Sequence, residues 1–395
     1  MVGKSQLALI SSYVLTVFGM AFVGVLVPLA GDLGRELQVS AADLGLAITM
    51  FSVPSAVAAT MFGSAVDKLG LRLGHMLGGF IIFSADLVLY FSHGKFELYA
   101  AFLISGTGFA IISAAAPALI MAISSPETEA RAMSLWASYA PAGLSFGLML
   151  AVLSGGAHGD WRFALAVHAA LMLGVTLLCL AVPNVAPTSP HGGADGWKDL
   201  VWAFTDRGVV RLAIAASIPP AIGYGTVLVV PSLFASAYQM PLATSSTIMA
   251  LVNLTTIAGS VLAGVAMSVR VRPVLLYGAA AFAGAIAQIL IFHPTGMLGL
   301  AIAALVIWTA AVGILMAISM AILPDILSDL SRSGAAAGLV SQAIAVGSVA
   351  TPTLYFAVLS HSQGAAYSAI ACVSLLLSVV VLPAWRSATT TLAPR

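Results

Sequence analysis

The chain is 395 residues long, 61% hydrophobic and only 7% charged, with 15 Lys+Arg against 14 Asp+Glu. A soluble domain carries about 25% charged residues, so a water-facing surface for a chain of this length is excluded, as is disorder, which needs low hydrophobicity. The net charge of +1 argues against nucleic acid as a partner, and continuous rather than alternating apolar runs argue against a β-barrel. The fold class that remains is all-α and polytopic, with the lipid bilayer as solvent.

In chain order, the apolar runs predict twelve transmembrane helices, at roughly 7–30, 41–65, 74–92, 97–123, 131–154, 162–182, 209–235, 243–267, 273–292, 297–323, 334–359 and 364–385. The first is too long, and too polar at its flanks, for a cleaved signal. Most connections are short. The stretch 183–208 is the exception, with Pro183, Pro187, Pro190, Gly192 and Gly193 among several charges. It lacks apolar periodicity and reads as a linker. The organisation expected is a six-helix half over 1–183, a cytoplasmic linker over 184–208 and a second six-helix half over 209–395. Cys179 and Cys372, in separate apolar runs, read as small buried hydrophobes.

Charge placement supports an even number of helices. With the N-terminus cytoplasmic, Lys4, Lys68, Arg72, Arg131, Lys198, Arg207, Arg211, Arg270, Arg272, Arg332, Arg386 and Arg395 fall on the inner side. Only Arg35, Lys95 and Arg162 fall outside. That asymmetry obeys the positive-inside rule, and a missed helix would spoil it. Both termini are therefore expected in the cytoplasm. The Ala/Gly-rich composition with short loops suits a bacterial inner membrane, and a monomer is expected.

The two halves share a layout: a tight loop after the second helix, a long fourth helix rich in Gly and Ala, and a fifth helix after an acidic-then-basic loop. The most specific stretch is Gly63-Ser64-Ala65-Val66-Asp67-Lys68-Leu69-Gly70-Leu71-Arg72. It resembles the signature loop of the major facilitator superfamily between helices 2 and 3. Asp160-Trp161-Arg162 resembles the Trp-Arg often found at the start of that family's helix 6. In the second half the signature is degenerate, with Gly264, Arg270 and Arg272 kept but Ser268 in the place of the acid. The resemblance implies two pseudo-symmetric six-helix halves and a secondary transporter working by alternating access. It also makes Gly63, Asp67, Lys68, Gly70 and Arg72 a cytoplasmic gate element, with Asp67 near the start of helix 11 and Arg131 as its cationic partner. An anion at a helix start is worth about 0.3–1 kcal/mol, enough to bias two states of similar energy. The plainer alternative is that these charges only set topology.

In the family fold, helices 1, 2, 4, 5, 7, 8, 10 and 11 line the cavity, and solute binds near mid-membrane. Their middle turns offer Thr16, Ser105, Thr107, Tyr139, Tyr224, Asn253, Trp308 and Gln342 as candidate solute ligands. The set is expected to hold two or more true ligands, whereas each residue alone reads more readily as an interhelical contact. Asp86 is the only acid inside a span, and His168 lies at a similar depth in helix 6. They are a candidate proton-coupling pair, with a structural hydrogen bond, or Asp86 reaching the interface, as the alternative. No Lys, Arg or mid-cavity acid is available to clamp a strong ion. The expected partner is a small neutral, weakly acidic or amphipathic organic solute.

No phosphate-binding Gly-x-x-x-x-Gly-Lys-Ser/Thr loop, clustered metal ligands or serine elbow appears. An enzyme, a cofactor and a metal are therefore not expected, and a channel would need rings or filters this pattern does not offer. Helices 4 and 5 lack the Arg and the fuller Gly-Pro motif of the family's proton-coupled drug exporters. That favours uptake or exchange of a metabolite driven by a proton or solute gradient, with efflux of amphipathic compounds as the alternative.

Overall fold

The computed structural model describes residues 4–123, 136, 138–158, 160–182, 196–326, 333–359 and 364–383, almost all of them helical. The spans are α1 (Lys4–Glu36), α2 (Ala41–Leu69), α3 (Leu71–Tyr90), α4 (Lys95–Ile123), α5 (Tyr139–His158) and α6 (Trp161–Leu178). They continue with α7 (Arg207–Ala237), α8 in two pieces (Leu242–Asn253 and Thr255–Ser268), α9 (Pro273–Phe292), α10 (Leu298–Ala321), α11 (Ser333–Leu359) and α12 (Gly364–Val381). Eleven of these are long and apolar enough to cross a membrane; α5, described only from Tyr139, is a shorter apolar helix. Part of the stretch read as an irregular linker is ordered, as a helix over Gly196–Thr205. Its residues 183–195 lie outside the described residues.

Local chemistry sets the helix ends. Ser40 and Asp43 form a capping box at the start of α2, satisfying two otherwise orphan donors. Tyr99 of α4 donates to Asp43 at 2.5 Å. Asp160 caps α6 by accepting from the Arg162 backbone N–H at 2.9 Å. Gly70 turns the chain between α2 and α3 at φ 86° and ψ 153°, a region open only to glycine without strain. Pro28, Pro54, Pro117 and Pro352 sit inside helices, which neighbouring spans make tolerable in lipid.

The chain forms two compact units. The first joins Met1–Gly192 to Tyr224–Leu254 and Ser348–Ser362; the second joins Gly193–Gly223, Thr255–Gly347 and Gln363–Arg395. With no hydrophobic drive between helices in lipid, close packing needs small residues. In the first unit, α1 and α5 meet through Gly24 and Gly147, where an added Cβ would stand 2.6 Å from the Leu144 carbonyl and 2.3 Å from the Ala21 carbonyl. In the second, α8 and α10 meet the same way through Gly259 and Gly313.

We term the end of the first unit at which α1 finishes and α2 begins the far end. A polar cluster ties it together. Trp161 donates through Nε1 to Glu36 at 2.6 Å, and Arg162 pairs with the same carboxylate. The Arg162 guanidinium lies 4.2 Å over the Trp161 ring. Its remaining donors reach the Tyr90 and Ser92 carbonyls at 2.9 and 3.1 Å, closing the C-terminal end of α3.

Candidate functional site

Within the first unit, late α7, early α8 and late α11 pack onto the first six helices. Thr49 of α2 donates to the Val349 carbonyl at 2.9 Å and shares a 2.9 Å hydrogen bond with Thr353 of α11. One turn nearer the far end, Gly45 lies so close to α11 that a Cβ would stand 3.0 Å from the Pro352 carbonyl. Deeper in, the Asn253 amide of α8 donates to the Pro141 carbonyl at 3.0 Å and to Ser145 at 3.2 Å, both on α5. Tyr224 of α7 and Ser52 of α2 are both buried. Counting from the start of α2, these contacts run from about 6 Å to about 18 Å below the far end at 1.5 Å per residue. We call this set of contacts the far-end closure. Hydroxyls and an amide reach across here beside apolar side chains such as Leu44, Ile48 and Phe356.

A second constellation sits behind the first. Asp86 of α3 and His168 of α6 are both wholly buried. His168 Nδ1 lies 2.8 and 3.0 Å from the two Asp86 oxygens, and its Nε2 lies 2.9 Å from the Phe18 carbonyl of α1. Three helices therefore meet on one imidazole. The Phe22 ring of α1 stands edge-on to it at 6.0 Å, and the Phe18 ring stacks on Phe146 of α5 at 4.8 Å. Asp86 also borders an apolar groove of about 340 Å³ between α3 and α6, lined by Phe83, Leu87, Tyr90, Leu165 and Ala169 among others.

A third feature is a run of rings through α5, α4 and α2. Trp136 lies 5.1 Å from Tyr139, Tyr139 5.8 Å from Phe109, and Phe109 5.1 Å from Phe51. Tyr13 and Ser138 share a 2.8 Å hydrogen bond beside it. The Trp136 Nε1 donor and the Ser105 hydroxyl have no hydrogen-bond partner among the described residues.

The candidates from sequence separate accordingly. Asp86 and His168 are brought together. Asn253 and Tyr224 fall in the far-end closure, and Tyr139 in the aromatic run. Ser105 is buried on α4, and Gln342 is half-buried on α11. Thr16 and Thr107 each spend their hydroxyl on a carbonyl of their own helix, Ser12 at 2.9 Å and Leu103 at 2.8 Å. Trp308, read from sequence as a cavity residue, is instead wholly buried with its ring on the bare face of Gly284 of α9. The large ring follows the space a missing side chain leaves, which sequence position alone does not reveal. Of the gate element, Arg72 donates to the Val182 carbonyl at 2.6 Å, tying the start of α3 to the end of α6. The side chains of Gly63, Asp67 and Lys68, and the whole of Arg131, lie outside the described residues. The sequence reading missed Thr49, Thr353, Ser145 and the Phe18 carbonyl. Threonines, serines and backbone oxygens carry no signal in an apolar helix until a partner is placed opposite them.

The sequence profile of the Major Facilitator Superfamily matches residues 9–352. The chain belongs to the Major Facilitator Superfamily. It is thus a multi-pass membrane transporter of a family that carries small-molecule solutes. Among solved structures, it is similar to a bacterial homolog of the human lysosomal transporter Spinster in an inward-facing, unoccupied conformation, with a TM-score of 0.72 and 15% identity over 97% of this chain and 95% of that one. The inward-facing, occupied conformation of a bacterial Spinster homolog gives a TM-score of 0.68 and 15% identity over 95% and 93%. At that identity the likeness speaks for the fold. Among curated proteins, no sequence is similar enough to this chain to match.

Proposed function

We propose that this superfamily member is a secondary transporter that moves a small, uncharged or amphipathic organic solute by alternating access, with a proton or solute gradient as the drive. The far-end closure carries the reading. Thr49, Thr353, Asn253 and Ser145 join segments from the two halves of the sequence by few, exchangeable hydrogen bonds. At about 0.5–1.5 kcal/mol net each, such bonds hold one state without freezing it. On the charge asymmetry of the loops, the far end faces outward, the termini lie in the cytoplasm, and the membrane is a bacterial inner membrane.

The solute class is argued from the rings and hydroxyls the first unit brings together. The rings of Phe51, Phe109, Tyr139 and Trp136, with the hydroxyls of Tyr13, Ser138 and Ser105, offer stacking and neutral hydrogen bonds and no fixed charge. This supports a planar or amphipathic solute over a strongly charged one. Uptake or exchange is the preferred direction, because the exporter motifs are missing. The gate role of Asp67, Lys68, Gly70, Arg72 and Arg131 is part of the same proposal, as is monomeric action.

The test uses Thr49→Cys with Thr353→Cys in a background lacking Cys179 and Cys372. A thermal-shift screen of the purified protein first finds a stabilising solute, since binding to the folded state raises its stability by mass action. Oxidation should then abolish counterflow of that solute in proteoliposomes, and a reductant should restore it. Counterflow at the wild-type rate with the cross-link verified would refute alternating access at this closure.

A further inference from the structure

We propose that Asp86 and His168 form a proton-binding site whose occupancy controls the far-end closure through Phe18 of α1. This deepens the transporter reading by naming the proton as coupling ion, and it rests on that reading.

Hydrogen-bond accounting fixes the state of the pair. A backbone carbonyl can only accept, so Nε2, 2.9 Å from the Phe18 oxygen, must carry a hydrogen. Nδ1 faces both Asp86 oxygens at 2.8 and 3.0 Å. If Nε2 held the imidazole's only hydrogen and Asp86 were ionised, two lone pairs would confront one another. A second proton must therefore lie between Nδ1 and the carboxyl group. Whichever partner holds it, the pair is neutral overall, as burial from water demands.

Releasing that proton leaves one N–H for two acceptors. The carboxylate is the stronger acceptor, so the remaining hydrogen moves to Nδ1. Nε2 then turns a lone pair on the Phe18 carbonyl, and the tie from α6 to α1 becomes a repulsion. From Phe18 the contacts are continuous. Its ring stacks on Phe146 of α5, the next residue after Ser145, which holds the Asn253 amide of α8. A proton lost at α3 and α6 is thus felt, through α1 and α5, at the far-end closure.

Among the described residues, no other ionisable group competes at this depth. On the helices packed around the pair, Lys4, Tyr13, Asp32, Arg35 and Glu36 belong to α1, Arg72, His75 and Tyr90 to α3, and Lys95, Glu97 and Tyr99 to α4. Tyr139 and His158 belong to α5, and Arg162 to α6, with Cys179 just beyond its end. Of these, His75 is committed to Ser12 and the Leu71 carbonyl, both at 2.7 Å, about 16 Å along α3 from Asp86 at 1.5 Å per residue.

The decisive variant is Asp86→Asn. Its amide N–H can donate to Nδ1 as the protonated acid does, so every hydrogen bond survives, but no proton can leave. A merely structural pair would make this variant nearly silent. Spin labels on the exposed Ala42 of α2 and Ala243 of α8, in the background lacking Cys179 and Cys372, report far-end opening with no solute needed. In the wild-type background the ratio of open to closed populations should change about tenfold between about pH 5 and pH 8, if proton affinity differs by one unit between the states. Asp86→Asn should hold the low-pH ratio throughout, with its melting temperature unchanged. His168→Gln serves as a second variant should Asp86→Asn fold poorly, and it should likewise lose the response. A wild-type ratio that ignores pH, or a response that survives in a folded Asp86→Asn or His168→Gln protein, would overturn the proposal. The Thr49–Thr353 cross-link tests alternating access separately, so that reading stands if only the pH response is missing.

Discussion

Helices α3 and α9 open the same way in their two halves, and they differ where it matters. Counted from the first residue of each helix, His75 corresponds to Tyr277, and Asp86 to Gln288. The first pair does the same work in both. His75 bonds Ser12 of α1, and the Tyr277 hydroxyl donates to the Ala215 carbonyl of α7 at 3.2 Å, so each ties its helix to the leading helix of its half. The second pair diverges. Asp86 and Gln288 are both wholly buried, but the α6 position facing Asp86 is His168, whereas its counterpart in α12 is Ala371. One half holds an acid with an imidazole opposite; the other holds a neutral amide with a methyl group in that register. Each half buries a polar side chain at this depth, and of the two only Asp86 is ionisable.

The largest effect should come from erasing that difference in the wrong direction. Gln288→Asp puts an acid on α9 with no imidazole to share its proton. An acid at the centre of a span costs about 2.5–3.5 kcal/mol on insertion scales; Gln288 is wholly buried but nearer the end of α9, so that figure is the ceiling for the expected fall in stability. A Gln288→Asp protein that melts with the wild type would mean that α9 supplies a partner for an acid, and the contrast between the halves would lose its basis.

Asp86→Leu asks the matching question of α3. It strands His168 Nδ1 without an acceptor or donor, at a cost of about 1–3 kcal/mol. Gln288→Leu removes a buried neutral side chain and strands no imidazole, so it should cost less than Asp86→Leu, by about 1 kcal/mol. Equal costs for the two leucine variants would show that the pair in the first half is ordinary packing. Gly147→Ala tests the packing of α1 on α5 and changes no side chain at the Asp86, His168 or Gln288 positions. Its Cβ would meet the Ala21 carbonyl at 2.3 Å, forcing α1 from α5 for about 1–3 kcal/mol.

Much of this was legible in the sequence, and for a physical reason. Charge is so expensive in lipid that the few polar residues declare themselves. An acid inside a span, Asp86, and a histidine at similar depth, His168, make a pair possible from their positions in the chain alone. The helix count is legible for the same reason, because spans are long and loops carry the charge. What stayed hidden depends on rotation about a helix axis. An apolar helix in lipid has no solvent face to orient it, so position does not say whether Trp308 looks to the cavity or to Gly284, or that Thr16 and Thr107 bond their own helices. The Phe18 carbonyl was invisible because every residue has one.

The smallest expected effect concerns how α3 ends. Arg162 reaches the Tyr90 and Ser92 carbonyls, pairs with Glu36 and lies over the Trp161 ring. At the end of α9, by contrast, Gly364 sits directly against the Phe292 carbonyl, so that end is closed by backbone approach and needs no cation. Arg162→Lys keeps the charge but cannot span two carbonyls, a carboxylate and a ring with one ammonium group. Because the cluster is part-exposed, solvent screens much of the loss, and about 0.5–1 kcal/mol of stability should go. The pH response of the far-end labels should stay as in the wild type, since the Asp86–His168 pair is untouched. If Arg162→Lys shifts that response as strongly as Asp86→Asn does, the far-end cluster and not the buried pair sets the balance between states.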